Sequence, residues 1–328
     1  MSHPSSFLWR AGMALTLAGA LLPGGAMAAP SLELPVPRVS QAPKGPEDGV
    51  WRKIPPVAIP LAGRDKFAGR SLTVTAQAAH TGEEVFFRFA WPDPTLSVTR
   101  KAWKFDGVSW QHQVGDEDRF SLLLEITPIP DFATQGCAVV CHVPPGSASA
   151  RGGRFGTTSP AVRGDLWHWK AGRSDPVGHA DDTWLGPISE GKGGRKPDAG
   201  SGGEKLNETE DKSRPRYAPA PGKKPGKHGV LTAAEAVPIE DYGRFQAGDT
   251  LTYQMPLMPT GSRADIRAVS GYKNGTWTLM LSRRLNTGQE DDAVLSPGRS
   301  YPAALAVFDD SGGADHYESG VVLIKLSP

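Results

Sequence analysis

The chain has 328 residues, and its 36 Lys and Arg nearly balance its 35 Asp and Glu, which gives a formal net charge of +1. This balance excludes the strongly basic surface that is typical of proteins binding nucleic acid or anionic membranes. The 39 glycines and 30 prolines leave little room for long helices and favour short strands joined by turns.

Residues 1–28 have the features of a secretory signal peptide. Arg10 precedes an apolar run over residues 11–22, and small residues at 24–28 form an Ala-x-Ala-type cleavage site before Ala29. The run of about twelve residues is shorter than the roughly twenty that span a bilayer. We therefore predict export to the periplasm and a mature chain, residues 29–328, that forms a single domain without a membrane span.

Several segments show the period-two alternation of half-buried strands. Residues 71–79 and 85–91 flank a Thr-Gly turn and predict an antiparallel hairpin. Further strands are predicted at residues 120–126, 277–283, 303–308 and 321–326, and residues 233–236 are the best candidate for a short helix. Together these elements predict a mainly β protein, a two-sheet β-sandwich with long loops.

One stretch, residues 191–228, interrupts this pattern. Its only large apolar residues are Leu206 and Tyr217, among many Gly, Pro and charged residues. Such a composition buries too little apolar surface to offset the entropy lost on ordering. We predict a disordered insert here.

The two cysteines lie in residues 136–142, Gly-Cys-Ala-Val-Val-Cys-His. Covalent haem is attached at Cys-x-x-Cys-His, where two thiols bond the porphyrin and the adjacent His coordinates iron. Here the spacing is one residue longer. A disulfide remains open, because positions i and i+4 of a helical turn lie within bridging range. A zinc site is less favoured, because no second Cys or His pair lies nearby.

A second informative stretch is residues 164–171, Gly-Asp-Leu-Trp-His-Trp-Lys-Ala. In a strand, Trp167 and Trp169 share one face, and His168 and Lys170 share the other. Indole rings offer a flat prosthetic group a large apolar wall, and a neutral imidazole can coordinate iron. The alternative is a tryptophan-rich core strand with an exposed His.

These stretches, in this order, resemble the ethylbenzene-dehydrogenase-related haem-binding family, also described as the DMSO-reductase-like haem-binding domain. The resemblance rests on residues 117–120 (Glu-Asp-Arg-Phe), 136–142, 165–171, 181–182 (Asp-Asp), 275–277 and 284–288, and it covers roughly residues 45–326 apart from the insert. It implies an exported β-sandwich that holds one haem and transfers electrons.

In the family's best-known members the domain is the haem b subunit of a periplasmic molybdenum enzyme, with methionine and lysine as axial ligands. This sequence has no Met in residues 120–126 and carries Cys-x-x-x-Cys-His instead. The departure favours one covalently attached c-type haem, with haem b as the alternative. Cys137 and Cys141 are then expected to form thioethers, His142 to coordinate the iron, and Trp167 and Trp169 to wall the porphyrin.

The second axial ligand has several candidates. His168 is the first choice, and Lys170 is second because it lies on the same predicted face. Met255 and Met258 lie on a loop and remain open. His316, in a turn rich in Gly and Asp, is expected on the surface.

An electron carrier is the predicted function, because a haem with both axial positions filled has no open site for substrate, and no catalytic motif competes. The chain is therefore not expected to be an enzyme by itself. The expected redox partner is a molybdenum-containing oxidoreductase or another periplasmic cytochrome. The rival function is a carbohydrate-binding module without haem, in which Cys137 and Cys141 form a disulfide. The opening stretch, residues 48–51, resembles family-nine sugar-binding modules.

Overall fold

Strands dominate the computed structural model, which describes residues 32–141, 155–188 and 193–328. Within these ranges the strands are β1 (Leu32–Val36), β2 (Val57–Gly63), β3 (Ser71–His80), β4 (Glu84–Pro92), β5 (Trp103–Phe105), β6 (Trp110–His112), β7 (Arg119–Glu125), β8 (Gly164–Lys170), β9 (Asp181–Leu185), β10 (Arg195–Pro197), β11 (Glu204–Leu206), β12 (Tyr217–Pro219), β13 (Ala236–Pro238), β14 (Thr250–Leu251), β15 (Gln254–Pro256), β16 (Arg267–Tyr272), β17 (Thr276–Arg284), β18 (Ser300–Phe308), β19 (Tyr317–Ser319) and β20 (Val322–Leu326).

The helices of the described residues are all short, as the Gly and Pro content predicts. Two α-helices follow one another, α1 (Phe132–Gln135) and α2 (Ala138–Cys141). Single 3-10 turns occupy Gly49–Lys53, Asp65–Phe67, Asp175–Val177, Lys227–Gly229, Tyr242–Arg244 and Gly261–Ala264. No described helix has the length and apolar character needed to cross a lipid bilayer.

Most long strands belong to one continuous hydrogen-bonded sheet that folds into two layers. The first layer runs β10-β9-β8-β7-β18, and the second runs β19-β2-β3-β4-β17-β16. Strand β18 joins them: its first half pairs with β20 and its second half with β19, which continues to β2. All pairs of this sheet are antiparallel except β1 with β20. The predicted two-sheet sandwich is therefore confirmed, with its layers connected through β19.

Aromatic side chains fill the space between the layers. Phe89 of β4 packs on Phe120 of β7 with ring centroids 4.4 Å apart, and Trp91 contacts Trp169 of β8 at 6.0 Å. Strand β4 is not a sheet neighbour of β7 or β8, so these contacts cross from one layer to the other. Burial of such large side chains dominates the energetics of a core of this kind.

The predicted hairpin over residues 71–79 and 85–91 is confirmed as β3 and β4, paired in antiparallel register. The strand predicted at residues 120–126 corresponds to β7, and the other alternating segments correspond to β17, β18 and β20. The prediction of a helix at residues 233–236 is wrong, because residues 233–235 form a turn that leads into β13. Alanine-rich composition alone does not overcome the cost of nucleating so short a helix.

The predicted insert, residues 191–228, has more local order over its described part, residues 193–228, than its composition indicates. Strands β10, β11 and β12 each pair with a segment outside this range, namely β9, β15 and β13. The buried Asn207 side chain adds hydrogen bonds to the backbone carbonyls of Tyr217 and Thr252. Backbone and side-chain hydrogen bonds hold this region in place, and such hydrogen bonds are not visible in the hydrophobic pattern of the sequence.

A small second core lies on the outer face of the first layer. It contains Leu123 of β7, Leu166 of β8 and Ala304 of β18, covered by Phe132 of α1 and Val140 of α2. Because this cover buries the outer face, all seven residues of β8 are buried, although the strand belongs to the two-layer core on its other side. Residues 31–328 form one compact unit, and the predicted signal peptide lies outside the described residues.

Candidate functional site

A cavity of about 510 Å³ opens on the outer face of the first layer, beside the small second core. This volume lies within the range of small-molecule and cofactor sites. Its lining comes from β7, β8 and β18, from the segment that joins α1 to α2, and from the chain around β10 and before β19: Arg119, Ser121, Leu123, Cys137, Phe155, Leu166, His168, Gly193, Arg195, Ala304, Leu305, Ala306, Phe308, Gly313, Ala314 and His316.

The alternation of strands β7 and β8 decides which residues reach this cavity. His168 lies opposite Ser121 in the β7–β8 register, and both line the cavity. Their neighbours Phe120, Trp167 and Trp169 point the other way, into the core between the layers. As predicted, Trp167 and Trp169 therefore lie on one face of β8, and His168 and Lys170 lie on the other.

His168 is 4% exposed, and its two ring nitrogens have different surroundings. Nδ1 lies 2.7 Å from Nη1 of Arg195, whereas Nε2 is buried without a hydrogen-bond partner among the described residues. Burial, reinforced by the charges of Lys170 and Arg195, holds the pKa of His168 well below its usual value. The ring is therefore neutral at pH 7, which is the form that coordinates metals.

The contact with Arg195 also fixes the tautomer of this ring. A guanidinium can only donate, so Nδ1 accepts and the neutral ring carries its hydrogen on Nε2. As it stands, His168 presents an N–H donor to the cavity. To coordinate a metal through Nε2, the hydrogen must move to Nδ1, and Arg195 must then turn to a different acceptor.

Cys137 reaches the same cavity from the opposite side. The chain reverses at Gly136, whose φ of 65° and ψ of −148° are open to glycine but not to residues with a Cβ. This reversal turns Cys137 inward, where it is 5% exposed and its thiol donates a hydrogen bond to Glu318 Oε2 at 3.2 Å. Cys137 and His168, 31 positions apart in sequence, are thus brought together.

Of Cys141 and His142, the two remaining residues of the Cys-x-x-x-Cys-His stretch, the structure describes only the backbone of Cys141. The backbone of Cys141 ends α2, and its side chain lies outside the described residues, as does all of His142. Their predicted roles, including the alternative disulfide between Cys137 and Cys141, stay predictions.

His316 is a cavity residue that sequence reasoning missed. It was expected on the surface, but it is 6% exposed and lines the cavity, with Nε2 3.6 Å from Glu318 Oε2. Glu318 also forms an ion pair with Arg64. The period of two could have revealed it, because Tyr317 faces the core while His316 and Glu318 face the other side.

The other predicted site residues lie elsewhere. Lys170 is buried and forms an ion pair with Asp181, and it does not line the cavity. Trp167 and Trp169 pack in the core behind the cavity wall. Met255 is fully buried outside the cavity, and Met258 is 60% exposed.

The cavity combines apolar walls with basic side chains. Leu123, Leu166 and Phe308 supply flat apolar surface. Arg119 lies over the ring of Phe308 at 4.8 Å, and Arg195 reaches in from β10. Apolar walls suit a porphyrin plane, and guanidinium groups bind carboxylates, which haem carries as propionates. With a thiol and a neutral imidazole in the same cavity, the described residues fit a haem.

Fold and cavity together define a β-sandwich with a cofactor-sized cavity on the outer face of one layer. The ethylbenzene dehydrogenase family matches residues 48–319, and the chain belongs to that family. This confirms the resemblance drawn from the sequence. No curated protein matches the chain.

Among solved structures, the chain is weakly similar to a candidate carbohydrate-binding protein from Bacteroides uniformis, with a TM-score of 0.38 and 10% identity over 90% of this chain and 100% of that one. A family 9 carbohydrate-binding module from Caldicellulosiruptor kristjanssonii in complex with glucose gives a TM-score of 0.35 and 8% identity over 90% and 97% of the two chains. The same module with cellotriose gives 0.33 and 8%, over 90% and 95%. Similarity at this level carries no functional argument.

Proposed function

We propose that this chain is an exported haem-binding electron-transfer protein with one haem in the 510 Å³ cavity. The observation that carries the proposal is the meeting of Cys137 and His168 at one cavity, since each was selected from the sequence as a haem residue for a separate reason. Membership of the ethylbenzene dehydrogenase family supports a link to oxidoreductase chemistry.

Covalent attachment is the part of the proposal that concerns the two cysteines. The haem would supply two vinyl groups, and each thiol would add across one of them, so that an S–C and a C–H bond would form while the S–H bond and the vinyl π bond would be lost. Cys137 is oriented for this by Gly136. His142, adjacent to Cys141 in sequence, is proposed as one axial ligand.

His168 is proposed as the second axial ligand, through Nε2. The buried, neutral ring and its unpartnered Nε2 support this role. Arg195 would then give up its contact with Nδ1, and a propionate carboxylate is the acceptor that the cofactor itself supplies. Two histidine ligands favour a lower reduction potential than a histidine–methionine pair.

Electron transfer, and not catalysis at the iron, follows from two filled axial positions. The proposed location is the periplasm, and the proposed partner is a molybdenum-containing oxidoreductase or another periplasmic cytochrome. The haem supplies the redox change; the protein residues hold it, orient it and limit the access of water.

The test is to purify the protein after export in cells with haem-maturation machinery. We expect a Soret band and, after denaturation in alkaline pyridine, haem that stays on the polypeptide. Cys137→Ser should weaken covalent retention, and His168→Gln should shift the spectrum from low-spin to high-spin. His179→Gln, a histidine outside the cavity, is the matched control and should change neither.

A colourless protein, or pigment that is unchanged in both Cys137→Ser and His168→Gln, would refute the proposal. Haem that is fully extracted by acidic acetone from the wild type would leave haem binding in place but refute covalent attachment.

A further inference from the structure

Five aspartates meet at one end of the first layer, on the face of β8 and β9 opposite the cavity. They are Asp165 of β8, Asp182 of β9, Asp198 after β10, and Asp291 and Asp292 after β17. They form two overlapping triads that share Asp292, and in each triad one oxygen per residue lies within 4.8 Å of the others. All but Asp291 are buried.

The positive charge near these carboxylates is too small to balance them. Arg283 lies 2.8 Å from Asp165, 2.7 Å from Asp292 and 3.7 Å from Asp182. Among the described residues no other side chain forms an ion pair with these three or with Asp198. One guanidinium therefore faces four buried carboxyl groups, and buried charge without compensation is costly.

Several carboxylate oxygens of this cluster accept no hydrogen bond from the described residues around the cluster. Asp165 Oδ2 accepts from the backbone N–H of Ala293 at 2.9 Å, and Asp292 accepts from Arg283 and Thr287. In contrast, both oxygens of Asp182, both oxygens of Asp198 and Oδ1 of Asp165 are buried without a donor from outside the cluster among the described residues, and the Asp182 and Asp198 carboxyl groups hydrogen-bond only to each other. Asp182 is 0% exposed.

Unused oxygens of this kind need a cation or a proton. A divalent cation would satisfy several of these oxygens at once.

We propose that Asp165, Asp182, Asp198 and Asp292 bind one Ca²⁺. The donor set consists of carboxylate oxygens without nitrogen or sulfur, which suits Ca²⁺ and disfavours zinc and copper. The ion ties β8 and β9 to the segments after β10 and β17, and so stabilises the layer that carries His168. The site is independent of the haem proposal, because it lies on the other face of β8.

The test is calorimetric titration of the chelator-treated full-length protein with CaCl₂, with MgCl₂ in parallel, together with thermal unfolding in each salt. We expect one Ca²⁺ per chain and a higher Tm in Ca²⁺. Asp182→Asn and Asp198→Asn should each weaken Ca²⁺ binding at least about tenfold, as loss of a charged ligand does. The exposed Asp211→Asn is the control and should bind normally.

The proposal is overturned if the folded wild type takes up no Ca²⁺, or if Asp182→Asn and Asp198→Asn bind it as tightly as the wild type. Because binding to the wild type is measured directly, a variant that fails to fold does not decide the result. Haem content plays no part in this measurement. If the Ca²⁺ proposal fails, the haem proposal is unaffected, and if the haem proposal fails, the Ca²⁺ proposal is unaffected.

Discussion

At the scale of single residues, the cavity is defined by how its side chains are held. His168 Nδ1 is engaged by Arg195, and the Cys137 thiol by Glu318, so both groups arrive with their orientation set by a neighbour. Such supporting contacts commonly tune metal ligands and hold them in place. Arg195 has the larger expected influence, because it brings a full positive charge to the imidazole.

Replacing Arg195 by Leu is expected to lower the reduction potential of the proposed haem, since a nearby positive charge favours the reduced form. Redox titration followed at the Soret band measures this. Lys196→Leu is the matched control, because Lys196 neighbours Arg195 but lies over the ring of Trp184 at 4.7 Å, away from the cavity. Equal potentials in Arg195→Leu and the wild type would contradict a role for this side chain.

At the scale of elements, the two-helix segment α1–α2 depends on one backbone conformation. Gly136 ends α1 with a positive φ, and a Cβ built there would lie 3.4 Å from the backbone of Gly320. The turn both closes the small second core and directs Cys137 inward. A residue with a side chain cannot hold this turn without strain.

Gly136→Ala should therefore destabilise the protein by about 1–3 kcal/mol, the usual cost of a residue forced into this region. It should also reduce the covalent haem yield. Denaturant unfolding and the pyridine assay measure the two effects. Gly45→Ala, where a Cβ meets only ordinary contact with Val269 at 3.6 Å, should change stability by less than about 0.5 kcal/mol. A wild-type haem yield in folded Gly136→Ala would count against the proposed role of the turn.

Features that depend on residues close in sequence could be predicted, whereas features that depend on contacts between distant segments could not. Alternation within β3 and β17 and the apolar run of β7 are local signals, and these strands, together with β4 of the predicted hairpin, were found from sequence. The Cys137 and His168 motifs were also found, but that they share a cavity depends on packing between segments 31 positions apart. The paired strands of residues 193–228 were missed because their polar residues carry no periodic hydrophobic signal. His316 was missed because the Gly and Asp residues around it indicate a turn more strongly than the short alternation over residues 316–318 indicates a strand.

At the scale of the whole molecule, buried carboxyl groups link stability to pH. Asp93 and Asp118 lie in one cluster with Asp309, at the end of the core near Trp277. Burial, together with the charge of Asp309, raises the pKa of Asp93 to about 6, and burial with the charge of Asp93 raises that of Asp118 to about 7. In the unfolded chain both would titrate near 3.9.

The folded state thus binds more protons than the unfolded state between about pH 4 and pH 7, and stability should fall as pH rises through this window. Asp93→Asn keeps the oxygen that accepts from Thr95 and removes one charge. We expect this variant to be more stable than the wild type at pH 8 by about 1 kcal/mol, and to lose less stability on going from pH 5 to pH 8.

Denaturant unfolding between pH 5 and pH 8 measures the difference in stability between Asp93→Asn and the wild type. Both proteins contain the aspartate cluster around Asp182, so its contribution to the pH dependence cancels in this difference. The exposed Glu33→Gln serves as the control and should follow the wild type. Parallel pH profiles for Asp93→Asn and the wild type would show that the pair does not titrate in this window.

The two tryptophans of strand β8 allow occupancy of the cavity to be followed by fluorescence. Trp167 and Trp169 lie directly behind His168, on the core side of the same strand. The ultraviolet emission of indole overlaps the absorption of a porphyrin, so a haem in the cavity would accept their excitation energy across the thickness of one strand. The haem-loaded protein should therefore show weak tryptophan emission, and protein produced without haem should show stronger emission, so that occupancy can be measured without an added label.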